Sequence, residues 1–369
     1  MRTRGGCGVK IGRIERIGPA GAVPRVMVVY VERGIAIDAQ RAEQGRRLAA
    51  GDSPEAAARI AAALIPESLA AGLGSASFRA DLDRALAGGP PADAVVPLAE
   101  ARWLAPVDPP RYRDFMTFEQ HHHAARAVRG KTTPEVTYRL PTYYKGGHRT
   151  LIGDGEVLHW PGYSTWMDYE LELGWVLAGE GGDLTPGEAE ERIFGVTLLN
   201  DFSARDRQFD ETVGNLGPAK GKDFATALGP WIVTADELDL GAIEAEARVN
   251  GETWARGSSG DAMWTAAEVV AYLSTAEPLL PGELIGSGTF GGACGLEVGR
   301  QLTPGDRVEL EAAGIGTLTT ELGEPHELAW EPPAREPGRT IAGGRAADHT
   351  ELLPPRTDAP APPYPAREG

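Results

Sequence analysis

The chain has 369 residues, 42% of them hydrophobic and 24% charged, with a formal net charge of -17. That length and balance bury a sizeable core, enough for one large domain and a smaller one, and exclude a disordered or fibrous chain. The negative charge excludes a phosphate backbone or an anionic membrane surface as partner, because both would be repelled at long range.

In chain order, Arg25–Val31 and Ile35–Asp38 alternate as two short strands about a turn. Ser53 is placed to cap a helix whose first position is Pro54, and a second helix is expected over about 76–86. Gly88, Gly89, Pro90 and Pro91 punctuate the chain, and the proline-rich connection after Trp103 marks a boundary near residue 105. The expected organisation is a small N-terminal domain over 1–105 and a strand-rich domain over 106–330. Within the latter, Asn250-Gly251 signals a hairpin, because both positions tolerate positive φ. A helix is expected over Thr265–Ala276, and strands at Arg307–Glu311 and Thr317–Glu321. From 331 to 369 prolines, arginines and acids alternate without period, which reads as a mobile tail. No apolar run approaches the ~18 residues of a bilayer span and the start carries no signal-peptide core, so a cytoplasmic location and no membrane partner are expected. Cys7 and Cys294 are too few and too isolated for a disulfide framework or a zinc cluster, and read as small buried or incidental residues.

The chemistry concentrates after residue 110. Glu170 and Glu172 follow Asp168, and in a strand they project from one face roughly 6 to 7 Å apart, while Tyr169, Leu171 and Leu173 take the other. Two such anions repel unless a cation lies between them; the alternative is the wet face of an ordinary strand. The apolar run Phe194–Asn200 delivers a third acid, Asp201, to a strand end. Ser203 and Asp206 fit a capping box, and Arg205 and Gln208 share a face of the turn that follows. Together these suggest a divalent metal beside a cationic, amide-lined pocket.

Lys222 lies in a glycine-rich stretch that is not a phosphate loop, since Asp223 follows the lysine. Gly286–Gly291 matches GxGxxG, yet no helix follows to receive a pyrophosphate. These glycines are expected to let backbone approach a ligand, with Thr289 as a hydroxyl donor. Asp114 and His121 are expected on one helix, seven residues apart and about 10 Å along one face. His121 is the natural base, its ordinary pKa lying nearest working pH. Neither GxSxG nor HExxH occurs, so serine-hydrolase and zincin readings lack their key residues.

Taken together, Asp114-Phe115, Glu119–His121, Pro141–Tyr144, Asp168–Glu172, Asn200–Gln208, Gly221–Thr226, Gly288-Thr289 and Gly295–Glu297 resemble the fumarylacetoacetate hydrolase family. The resemblance covers most of residues 103–322. It implies an α+β fold, mainly β, with a mixed β-sandwich roll as catalytic domain, a small N-terminal α+β domain and a homodimer. It implies that Glu170, Glu172 and Asp201, with Asp114 as a fourth carboxylate, bind a divalent cation, Mg²⁺ in the first place, with Mn²⁺ or Ca²⁺ as alternatives; all-oxygen ligation suits such hard ions.

In the reaction so implied, His121, oriented by Glu297, activates water against a carbonyl of a 1,3-diketo acid, and an enolate leaves as the carbon–carbon bond breaks. Arg205, Gln208 and Lys222 are expected on the oxyanion, and Tyr144, Thr289 and Arg129 on the substrate, a small anionic keto acid. The Arg129 match needs a one-residue gap. Met116 and Thr212 stand where the eukaryotic enzyme has substrate-contacting tyrosines, which argues for a different or smaller acyl group. Two alternatives stay open at the same site: decarboxylation or keto-enol isomerisation of an α-keto acid, and a non-catalytic metal-containing protein that binds an anion.

Overall fold

The alternating apolar runs of the sequence become strands of two stacked sheets in the computed structural model, which describes residues 9–18 and 21–335. Cys7 and the stretch 336–369 of the expected tail lie outside the described residues. Residues up to Glu327 make one compact unit, and the rest of the chain a second; the described part of that second unit, 328–335, carries neither helix nor strand.

The larger sheet has twelve strands, with Leu171–Leu177 near its middle, flanked by antiparallel Ile193–Asn200 and Leu284–Gly286. Tyr112–Phe115 runs parallel to Leu284–Gly286 and pairs with Tyr143–Gly146. On the other side, Ile193–Asn200 pairs with Thr226–Thr234, and Lys10–Gly18 pairs with Thr226–Thr234 in turn. Residue 105 therefore falls inside one packed unit. The strands Lys10–Gly18, Gly21–Tyr30 and Ile35–Asp38 continue this sheet outward from Thr226–Thr234.

Both faces of this sheet are covered, so its central strands are apolar almost throughout. Leu173, Trp175 and Leu177 pack on one side against the five-stranded second sheet, through Ala247, Leu310 and Leu318, and against the helix Ala266–Ser274. Val176, Leu199 and Leu228 pack on the opposite side with Ile65, Leu69, Phe78 and Leu82 of the N-terminal helical segment. Truncating such a fully buried leucine costs about 2 to 5 kcal/mol. The fold is α+β, mainly β, as expected.

Local signals held. Ser53 caps the helix Pro54–Leu64, and the helix expected over Thr265–Ala276 forms as Ala266–Ser274, where the structure adds a capping box of Thr265 and Glu268. The hairpin turns at Asn250 and Gly251, with φ of 52° and 79°. Four helices among the described residues carried no read signal: Ala39–Ala49, capped by Asp38, and the short Leu69–Leu73, Pro186–Glu190 and Gly295–Val298.

Candidate active site

Four strand ends converge on the carboxylates. Glu172 lies on Leu171–Leu177, and Glu170 just before it, where its backbone bridges Cys294. Asp201 follows the last residue of Ile193–Asn200, and Asp114 lies on Tyr112–Phe115 level with Gly286 of the neighbouring strand. Asp114 and His121 therefore do not share a helix: the helix begins only at Glu119, and the two residues meet because strand and helix fold onto one pocket. Gly286 makes room for the cluster, since a Cβ there would run into the Asp114 and Glu172 carboxylates. Its neighbour Gly288, at φ 82°, donates its N–H to Glu172 Oε2 at 3.1 Å, and Thr289 Oγ1 donates to Glu172 Oε1 at 3.2 Å. The glycine-rich run thus brings backbone to a carboxylate, not to a pyrophosphate.

Asp114, Glu172 and Asp201 are all buried, and one oxygen from each lies within 4.8 Å of the others. Burial pushes the Asp114 and Glu172 carboxyls well above the usual range, and their mutual repulsion with Asp201 adds to it; burial raises Asp201 as well, against the pull of Lys222. Asp114 Oδ1 is buried with no hydrogen-bond partner. An orphaned oxygen among three clustered acids is the environment a hard cation relieves, and the all-oxygen donor set fits Mg²⁺, Mn²⁺ or Ca²⁺.

Glu170 is held differently. Its Oε2 accepts from Lys222 Nζ at 2.5 Å, and its Oε1 lies 2.8 Å from Arg205 Nη1. Burial opposes its charge, but Lys222 and Arg205 outweigh that and hold it far below the usual carboxylate range. Lys222 also pairs with Asp201, and these two anions keep its ammonium protonated despite burial. In this structure both oxygens of Glu170 are thus engaged by cations, while the other three acids make the compact group.

The sequence reading assigned Asp168 no role, yet it organises the cationic side. It accepts from the backbone N–H groups of Gly295 and Leu296 at 2.7 and 2.9 Å, and from Arg205 Nε and Nη2 at 2.8 and 2.6 Å. One buried carboxylate therefore fixes both Arg205 and the segment that leads to Glu297. Its only sequence signal was its place two residues before Glu170. The capping box expected of Ser203 and Asp206 is absent: Ser203 Oγ donates to the Asp201 carbonyl, and Asp206 accepts from Ser164 Oγ at 2.6 Å and Thr165 N at 2.9 Å. A tertiary partner, the 164–165 loop, outbids the local motif.

His121 is buried with Nδ1 3.2 Å from Glu297 Oε2 and Nε2 3.9 Å from Glu170 Oε1. Glu297 is held below its usual pKa; burial opposes this, and the contact with His121 overcomes it. The side chains of Asp114, Glu170, Glu172, Lys222, Arg205 and His121 face a cavity of about 570 Å³, with Asp201 and Glu297 behind that lining. Gln208, whose amide oxygen accepts from Arg205 Nη1 at 3.0 Å, also lines it. So do Tyr144, Thr289 and Arg129, but two of these already serve the acids. The Tyr144 hydroxyl donates to Asp201 at 2.8 Å, and Thr289 donates to Glu172. Arg129 stacks over Phe209 at 5.3 Å and donates to Thr212 Oγ1 at 3.1 Å. Met116 and Thr212 both line the cavity.

Residues 112–322 match the family model described as fumarylacetoacetate (FAA) hydrolase C-terminal, which is more than half of the chain. The protein belongs to the fumarylacetoacetate hydrolase family. Among curated proteins it is 36% identical over 167 residues to a fumarylacetoacetase of Oryza sativa subsp. japonica, covering 39% of this chain and 38% of that protein. It is 29% identical over 202 residues to a 4-hydroxyphenylacetate degradation bifunctional isomerase/decarboxylase of Salmonella dublin, covering 54% of this chain and 44% of that one. The chain thus spans less than half the length of these two relatives. Among solved structures it shares the fold of a fumarylacetoacetate hydrolase from Exiguobacterium antarcticum, with a TM-score of 0.62 and 23% identity over 86% of this chain and 99% of that one. A 2-hydroxyhepta-2,4-diene-1,7-dioate isomerase from Mycobacterium marinum gives 0.59 and 22%, over 86% and 100%. Members of this family include hydrolases, isomerases and decarboxylases by name, and no helix among the described residues is long and apolar enough to cross a membrane.

Proposed function

We propose that this family member hydrolyses a carbon–carbon bond in a small anionic 1,3-diketo acid, an acylpyruvate or a fumarylacetoacetate-like compound. The observation that carries this reading is the His121–Glu297 contact of 3.2 Å beside the carboxylate cluster, since hydrolysis needs a base for water. Asp114, Glu172 and Asp201 would hold a divalent cation, Mg²⁺ in the first place, with Glu170 as the adjoining fourth carboxylate. Such an ion polarises the oxygens of a bound keto acid.

The chain's own groups do the rest. His121 takes a proton from water through Nε2, and Glu297 at Nδ1 offsets the charge the ring gains. The hydroxide adds to the acyl carbonyl, and Arg205, Lys222 and Gln208 hold the oxyanion; removing one such donor costs about 3 to 4 kcal/mol of barrier. The carbon–carbon bond then breaks towards the keto-acid fragment, which leaves as an enolate and takes a proton to become the free acid. Arg129 at the cavity wall, with Tyr144 and Thr289 deeper in it, would position the substrate. The resemblance also implies a homodimer, which light scattering on the purified chain tests.

The deciding experiment incubates the protein and Mg²⁺ with simple acylpyruvates and identifies products by mass. Pyruvate and the matching carboxylic acid are expected, with His121→Ala slower by about 10²- to 10⁴-fold. The partial match to an isomerase/decarboxylase supports the second reading. A product of unchanged mass, or released CO₂, with His121→Ala still active, would replace hydrolysis by that chemistry. A compound that binds and survives unaltered across the whole panel would leave only an anion-binding protein.

A further inference from the structure

Cys294 is one of two cysteines in the chain and is fully buried, yet it is not an inert core thiol. Its Sγ donates to Glu297 Oε2 at 3.2 Å, the same oxygen that lies 3.2 Å from His121 Nδ1. One ligand atom from each of His121, Cys294 and Glu297 falls within 4.8 Å of the other two. A tetrahedral ion bound at about 2.0 to 2.3 Å holds neighbouring donors roughly 3.3 to 3.7 Å apart, so the two 3.2 Å spacings need only a slight expansion. Two polar atoms of these side chains also lack what a settled hydrogen-bond network would give them. His121 Nδ1 and Glu297 Oε1 are buried without a hydrogen-bond partner, and the His121 side chain is only 7% exposed. His121 lines the cavity, which gives an ion a way in.

We infer that His121, Cys294 and Glu297 form a second metal site, separate from the carboxylate cluster, that takes a borderline-soft divalent ion such as Zn²⁺ with water or substrate as fourth ligand. The donor set is one nitrogen, one sulfur and one oxygen. It suits Zn²⁺ or Co²⁺ and does not suit Mg²⁺, which demands oxygen ligands in an octahedron. Binding forms a sulfur–metal bond and releases the thiol proton to solvent; no electron changes hands. An ion between His121 and Glu297 also occupies the proposed base, so Zn²⁺ inhibits the enzyme. That last consequence rests on the hydrolase reading, whereas the site itself does not.

The test is therefore spectroscopic. The chain carrying Cys7→Ser, saturated with Mg²⁺ to occupy the carboxylates, is titrated with Co²⁺. A thiolate-to-cobalt charge-transfer band is expected at one equivalent per chain. Zn²⁺, which binds such sites more tightly than Co²⁺ and is itself colourless, bleaches it. The band disappears in Cys294→Ser and persists in Asp114→Asn. His121→Asn weakens cobalt binding on the order of 100-fold while keeping the thiol, and arbitrates if Cys294→Ser does not fold. No band at saturating cobalt, a band that survives Cys294→Ser, or cobalt affinity unmoved by His121→Asn overturns the inference. A band with no diketo-acid hydrolysis would keep the site and discard only the inhibition.

Discussion

Gly286 and Asp114 lie level on neighbouring parallel strands, and the missing side chain of the first is the space occupied by the carboxylate of the second. The same space admits Glu172, so one glycine allows two acids from two strands to meet.

Gly286→Ala is therefore expected to displace Asp114 and weaken divalent-cation affinity by about 10- to 100-fold. Isothermal titration with Mg²⁺ or Mn²⁺ measures it. Unchanged affinity would show that Asp114 is not part of the ion's environment.

Asp168→Asn tests the organiser of the cationic side. It leaves Arg205 buried without its chief counter-ion, and breaking a buried pair in this way costs about 3 to 5 kcal/mol. Chemical denaturation should show that loss, and activity should fall with it because Arg205 and the Glu297 segment are fixed by one carboxylate.

Lys222→Met removes the ammonium that pairs with both Glu170 and Asp201. With no metal ion present, Asp201 then loses its ion-pair partner and Glu170 keeps only Arg205, so the variant should unfold at a lower temperature than the parent. Adding Mg²⁺ should restore more stability to the variant than to the parent, since the ion takes over part of the lost charge. Equal recovery in differential scanning calorimetry would contradict this.

His122 supplies one part of the pH dependence. Burial pushes its pKa down to about 4, and its ring stays beside the Met116 carbonyl at 2.9 Å. Its folded value lies below the ordinary ~6.5, so the unfolded chain binds the proton more readily between those values. The stability it contributes is complete above about pH 6.5 and is lost as pH falls towards about 4. Thermal melts across that window should show the slope, and His122→Gln, whose amide can still donate to Met116, should flatten part of it.

The local and the distant parts of the molecule were not equally readable. Ser53-Pro54 and Asn250-Gly251 each act through their own backbone within a few residues, so their helix and hairpin were plain in the chain. Ser203 and Asp206 show the limit of that logic, because Ser164 and Thr165, some forty residues away, claimed the aspartate.

The sequence by itself determined the residue types of the site, the order in which they come and the strand period that puts Glu170 and Glu172 on one face. Only the tertiary structure decided how those charges are shared. Glu170 is taken by Lys222 and Arg205, and Asp114 reaches Glu172 and Asp201 across Gly286. Cys294 stands against Glu297 and His121, although one lies on a distant helix. The reason is physical: alternation along a strand sets direction, whereas pairing between buried charges depends on which strands the sheet makes neighbours and on where a missing side chain leaves room.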